Sequence, residues 1–144
     1  MSTPVLRGYS QWVAITIKPI NFDIAIQDAY LEYGKFYKDN DKSVEMSIDD
    51  VNKITIKKGK SATIYSCGRQ TSPTGTQGEF TVCKIEDDKS YKKIGKMHWD
   101  CPYFFMSDNS WGFDNNEEDE FMDKLKGGSK DGAIGHLTLT LMEI

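Results

Sequence analysis

Apolar residues recur at every second position along most of this chain, and that period restricts its fold more than any other feature. Val13, Ile15 and Ile17 alternate with smaller or polar residues; Phe22, Ile24 and Ile26 do the same, and Ala29, Leu31 and Tyr33 continue the pattern. Ile54 with Ile56, Ala62 with Ile64, and Phe80 with Val82 form shorter runs, and Leu137, Leu139 and Leu141 alternate with Thr138 and Thr140. Successive strand side chains point to opposite faces, so such runs mark strands with one face on a core and the other in water. Gly, Asp, Asn or Pro separate the runs at roughly ten-residue intervals, the spacing of a sandwich. The expectation is an all-β, antiparallel β-sandwich, one domain over residues 1–144 with no repeat or linker. The KKGK tetrapeptide at 57–60 reads as a hairpin turn with Gly59 at positive φ, joining the Ile54–Ile56 strand to a return strand at Ala62 and Ile64.

Two segments resist that reading. In NEEDEFMDKLKGG, the acidic start, the near-helical spacing of Phe121, Met122 and Leu125 and the Gly-Gly stop fit a short capped helix, while Phe121, Asp123 and Leu125 also fit a strand. Local pattern leaves both open. The stretch Tyr103 to Asn116 packs five aromatics into a loop-like segment rich in Asn, Asp and Ser. These rings either form a satellite hydrophobic cluster or face a ligand or membrane interface, where amphipathic Trp and Tyr settle at head-group level.

Charge and motif content exclude several functions. A net charge of −4 on 144 residues argues against nucleic-acid binding and against simple docking to anionic lipid. The lysine runs at 57–60 and 89–96 and the acidic run at 117–123 read as solvated surface. Met1–Gly8 lacks the apolar stretch of a signal peptide, and no run approaches the ~20 residues of a membrane-spanning helix. The expectation is a soluble chain made in the cytoplasm that acts outside on target-cell membranes. Cys67, Cys83 and Cys101 are odd in number and lack C-x-x-C spacing, so buried free thiols are expected and no metal or cofactor site. His98 and His136 are the two histidines; His98-x-x-Cys101 lacks the orienting third group of a catalytic dyad. With no metalloprotease, nucleophile-elbow or P-loop motif, an enzyme is not expected, and no catalytic residue is assigned. Trp12 reads as the start of a core strand.

Four motifs in order carry a family resemblance. GYSQWVAITIKP opens the first strand; CGRQTSPTGTQGEF holds Cys67-Gly68-Arg69 ahead of Gly75-Thr76 and Gly78; HWDCPYFFMSDNSW holds Trp99-Asp100-Cys101-Pro102, Tyr103 and Trp111; DGAIGHLTLTLM closes the chain. Tyr33-Gly34-Lys35 stands where family members often have Trp-Gly-Lys. Over Tyr9 to Met142 the chain resembles the aegerolysins. The resemblance implies a small acidic β-sandwich that binds sphingolipid membranes, containing sphingomyelin with cholesterol or ceramide phosphoethanolamine. Several members are the targeting half of a two-component cytolysin whose other half is a larger MACPF-domain pore-former, and some bacterial pairs are insecticidal. It also implies a strand at Phe121–Leu125.

The lipid-binding candidates follow. Trp99, Tyr103 and Trp111, with Tyr33 alongside, would offer aromatic faces to a quaternary ammonium; Trp99 fits a core position equally well. Arg69 or Lys35 would pair with the lipid phosphate, although a structural salt bridge suits Arg69 as well. Thr74 occupies a position that is often acidic in fungal relatives, which bears on lipid selectivity. The alternating runs are too short and too committed to the core to cross a bilayer, which points to a recognition module recruiting a separate pore-former. A carbohydrate-binding or structural sandwich is the competing reading, since Trp and Tyr beside Asn and Asp also suit sugars.

Overall fold

The computed structural model describes residues 8–103 and 107–144. Phe104 and Phe105 of the aromatic stretch, and nearly all of the Met1–Gly8 segment, lie outside the described residues. After a 3-10 turn at Gly8–Ser10 come β1 (Trp12–Pro19), β2 (Ile24–Tyr33), β3 (Lys35–Lys38), β4 (Asp41–Met46), a one-turn helix α1 (Ile48–Val51), β5 (Thr55–Ile56), β6 (Ala62–Cys67), β7 (Thr76–Ile85), β8 (Tyr91–Cys101), β9 (Ser110–Asn115), β10 (Phe121–Gly127) and β11 (Gly135–Glu143). The described strands form two sheets in the orders β10-β11-β1-β6-β3-β4 and β5-β2-β7-β8-β9. This is the expected sandwich with one correction: β1 and β11 pair in parallel, Val13 beside Gly135 through Pro19 beside Leu141, so the first sheet is mixed. Both strands start at the same end of the sandwich, and β11 hydrogen-bonds to β10 on its other side.

Alternation places the core. Val13, Ile15 and Ile17 of β1, Leu137, Leu139 and Leu141 of β11, Ile64 and Phe36 face Ile24, Ile26, Phe80, Val82, Ile94, Met97 and Trp99 of the other sheet, all buried. Trp99 lies at the centre of one end, 1% exposed, its ring 6.0 Å from that of Phe36 and 5.9 Å from that of Phe80. Room for it comes from Gly78: a Cβ there would stand 2.8 Å from Cζ2 of Trp99. The indole N–H of Trp99 can only donate, and it donates to Oγ1 of Thr76 at 3.0 Å. The Ser66 hydroxyl donates to the Lys35 carbonyl at 2.8 Å, so in the 2.6 Å contact between Ser66 and Thr76 the threonine is the donor. One directed chain, Trp99 to Thr76 to Ser66 to Lys35, thus joins the sheets, with every hydrogen used.

The structure corrects some local readings and decides one that the sequence left open. The turn at 57–60 forms, with Gly59 at φ +78° and the Lys60 amide on the Lys57 carbonyl at 2.9 Å, but it is not a hairpin: β5 pairs with β2 while β6 pairs with β1 and β3. The chain crosses between sheets there. Residues Ser110–Asn115 are a strand rather than a loop, and Phe121–Leu125 belongs to β10, as the resemblance implied. Trp12 begins a core strand, yet its ring lies on the outer face, edge-on to His136 with centroids 5.1 Å apart. Ala29, Leu31 and Tyr33 do not share one face: the register shifts between Leu31, which meets Gly78, and Tyr33, which meets Gln77. This bulge turns Tyr33 outward.

Two outcomes follow. Replacing Thr76 by Val strips the buried Trp99 N–H of its acceptor and Ser66 of its donor; urea unfolding is expected to show a loss of about 2–3 kcal/mol, with Thr76→Ser close to wild type. The three thiols are buried, and burial raises each to about 11 from an ordinary 9.0. Their neutral form therefore contributes stability that is full below pH 9 and is lost as pH rises towards 11. Native protein at pH 8 is expected to resist alkylation by iodoacetamide, all three cysteines reacting once it is unfolded.

Candidate functional site

One end of the sandwich gathers segments that the sequence singled out: the turn before β1, the β2–β3 corner at Gly34, the loop 68–75, residues 102–103 after β8 and 107–109 before β9, and the loop 128–134. It is tied together locally. Gln11 donates to the Pro102 carbonyl at 2.6 Å, and the Asn109 amide group donates to the carbonyls of Ser129 and Gly132 at 2.8 and 2.9 Å.

From this end a cleft of ≈ 480 Å³ runs onto the outer face of the β5-β2-β7-β8-β9 sheet. Cross-strand register builds it in two rows. Tyr33, Gln77, Asp100 and Ser110 stand side by side nearest the loops; Tyr30, Glu79 and His98 form the next row. Glu32 joins the wall, with Gly78 and Trp99 at the floor. The Tyr33 hydroxyl donates to Oδ1 of Asp100 at 3.1 Å, and the Tyr30 hydroxyl to Oε2 of Glu32 at 2.5 Å. Burial first, and the Asp100 carboxylate second, push the Tyr33 phenol up to about 12, so it stays a donor. Glu79 is neutralised by Lys96 at 2.8 Å, and His98 lies 3.4 Å from Asp114. Among the described residues Glu32 and Asp100 have no basic partner within 4.0 Å. The cleft thus offers two uncompensated carboxylates between tyrosine rings, an arrangement suited to an organic cation.

The structure divides the sequence-derived candidates. Tyr33 stands beside the cleft, its hydroxyl on Asp100 of the lining, and half-buried Tyr103 lies at the same end, in the bend after β8. Trp99 is a core residue beneath the cleft, so its ring is not an exposed face; its size and its indole hydrogen bond assign it to packing. Trp111 pairs with Trp99 across β8 and β9 and shares its inward side. Its half-buried ring lies against Gly128, where an added Cβ would come within 2.3 Å, and Lys130 sits 5.7 Å from the ring centroid. Arg69 grips Glu45 through two hydrogen bonds of 2.9 and 3.3 Å, the structural alternative. Lys35 is buried on the outer face of the other sheet with its ammonium on the Tyr9 hydroxyl at 2.7 Å, away from Tyr33. Thr74 is exposed in its loop, sharing a 2.7 Å hydrogen bond with Ser72. Sequence reading missed Tyr30, Glu32, Gln77 and Glu79. Their signal lies in pairing: they are the outward members of strands whose inward members were recognised, and only the register of β2, β7 and β8 brings them together.

Comparison with known proteins agrees with the architecture. The Aegerolysin family model matches residues 10–144. Asp-hemolysin of Aspergillus fumigatus is 37% identical over 116 residues, covering 79% of this chain and 74% of that protein. Aegerolysin Aa-Pri1 of Cyclocybe aegerita is 29% identical over 138 residues, covering 94% and 92%. The crystal structure of the RahU protein in complex with a TRIS molecule superposes with a TM-score of 0.86 at 31% identity, covering 94% of this chain and 97% of that one. Fold, length of match and identity together show that this chain belongs to the aegerolysin family, a family of lipid-binding proteins related to cytolysins.

Proposed function

We propose that the protein is the membrane-recognition half of a two-component cytolysin, that its loop end receives a zwitterionic sphingolipid head group, and that a larger MACPF-domain protein supplies the pore. The observation that carries this reading is the cleft beside the loops. Glu32 and Asp100 accept hydrogen bonds from Tyr30 and Tyr33 but have no basic partner within 4.0 Å among the described residues, so an ammonium group would complete the site. Sphingomyelin and ceramide phosphoethanolamine both carry a positively charged nitrogen at the end of the head group, next to a phosphate. The nitrogen would enter between the tyrosines, leaving the phosphate to the loop amides and hydroxyls, Thr74 among them. The net charge of −4 favours a zwitterionic over an anionic surface.

The fold supports a separate pore-former. Every described strand is hydrogen-bonded into one of the two sheets, and the long strands each bury a face in the shared core. Releasing any of them to cross a bilayer would dismantle that core.

Vesicles of defined composition test the reading. Tyr33→Ala and Asp100→Asn are expected to weaken binding to sphingomyelin or ceramide phosphoethanolamine vesicles by about five- to thirtyfold, that is about 1–2 kcal/mol, at an unchanged melting temperature. Trp111→Ala is expected to lower the melting temperature as well, because its ring seals the core edge. Binding that rises steeply with phosphatidylserine content would refute the zwitterionic reading. The protein alone is expected to leave dye inside these vesicles, and release is expected once a MACPF-domain partner is added; release by the protein alone at binding concentrations would exclude the two-component division.

A further inference from the structure

The end of the sandwich away from the aromatic loops carries an apolar patch that the lipid reading does not use. Met122 and Met142 are direct partners across β10 and β11, and both point away from the core. Ile20 follows Pro19, which pairs with Leu141, so it stands beside Met142 on the neighbouring strand. Ile144 lies one step beyond, its amide on the Glu120 carbonyl at 2.8 Å. Their exposures are 56% for Met122, 37% for Met142, 51% for Ile20 and 71% for Ile144. Four large apolar side chains grouped at one spot on a sheet face form the kind of patch that marks an interaction surface.

The charges around the patch identify its occupant. On one side stand Lys18, Lys124 and Lys126, the last two placed two and four residues after Met122. On the other side is the acidic turn, with Glu120 and Glu118 two and four residues before Met122, and Glu117 and Asp119 beside them. Among the described residues Glu120 pairs with Lys92, whereas Lys18, Lys124, Lys126, Glu117, Glu118 and Asp119 have no ion-pair partner in the chain. The turn at 57–60 adds Lys60 beside Lys18 and Ile20, so that end of the row is basic, whereas the Met122 end, with free cations on one side and free carboxylates on the other, is complementary to itself. A two-fold axis along the Ile20–Met142–Met122 row packs this row on its own copy and lays the acidic turn of each chain over Lys124 and Lys126 of the other, the isologous pattern of a symmetric dimer.

We infer that this face is a self-association surface through which two copies pair across the outer faces of their β10-β11-β1 strands, independently of the lipid site. Strands of the two copies run in opposite directions across the contact, so the aromatic ends point away from each other and both stay exposed. The patch is small beside a standard interface of ~800 Å² per partner, which makes the dimer weak and salt-sensitive.

Sedimentation velocity from about 1 µM to 1 mM tests this. A reversible monomer–dimer equilibrium is expected, shifted to monomer by Met142→Asp and, at low salt, by Lys126→Glu; combining Lys126→Glu with Glu118→Lys restores the dimer. Because Met142 sits in a strand, the melting temperature is measured alongside, and Met122→Asp on the sheet edge serves if Met142→Asp is destabilised. A chain that stays monomeric throughout, a dimer indifferent to Met142→Asp and Met122→Asp, or a charge pair that fails to restore association overturns the inference. A monomer in which Met142→Asp abolishes lysis with the pore-forming partner would likewise overturn it and assign the face to that partner.

Discussion

The hydrogen-bonded chain from Trp99 through Thr76 and Ser66 to the Lys35 carbonyl is the interaction on which the functional end depends. Burying an indole brings a polar N–H into an apolar interior, which is tolerable only when that N–H is satisfied. Thr76 and Ser66 satisfy it by handing the demand across the gap between the sheets until it ends on backbone. Each donor has a single acceptor available, so the chain fixes β6 against β7 and β8 in one relative position. A sandwich held by apolar contact alone could slide by small amounts at its end; a directed polar contact at that end removes the freedom.

From that fixed end the site follows by register. Asp100 is the neighbour of Trp99, so anchoring the indole inward aims the carboxylate outward. Gln77 is the neighbour of Thr76 and is aimed outward in the same way. The bulge in β2 places Tyr33 in the same row as these two, where its phenol meets Asp100. Bulges commonly re-aim a side chain beside a functional surface. The cleft is therefore the outer side of the strands whose inner side forms the polar lock, and the geometry of the cleft and the rigidity of the end share a cause.

Much of this was legible in the alternation of apolar residues. Val13 to Ile17 and Leu137 to Leu141 announce strands buried on one face, and they form the centre of the first sheet. Strand direction and partner were not legible: nothing local in Gly135–Glu143 says that it lies parallel to β1, and the Gly59 turn looks alike whether it closes a hairpin or carries the chain to the other sheet. The same limit governed the site. Trp99 and Trp111 announce themselves by size, and size is what takes them inward, whereas Tyr30, Glu32 and Glu79 are ordinary strand residues whose meaning comes from cross-strand neighbours distant in sequence, as Tyr30 meets Glu79 and Glu79 meets His98. Tyr33 entered the candidates through its likeness to a family motif, although its period-two pattern placed it on the inner face.

The central claim is that the protein meets lipid with its loop end. Hydrogen–deuterium exchange read by mass spectrometry, with and without sphingomyelin vesicles, tests it most directly. The account predicts slowed exchange in the loop 68–75, at the Tyr33–Gly34 corner and from Asp100 through Tyr103, with no change in the turns 57–61 and 86–90 at the other end. Protection confined to those opposite turns, or no protection of the loop end by vesicles that demonstrably bind the protein, would contradict it.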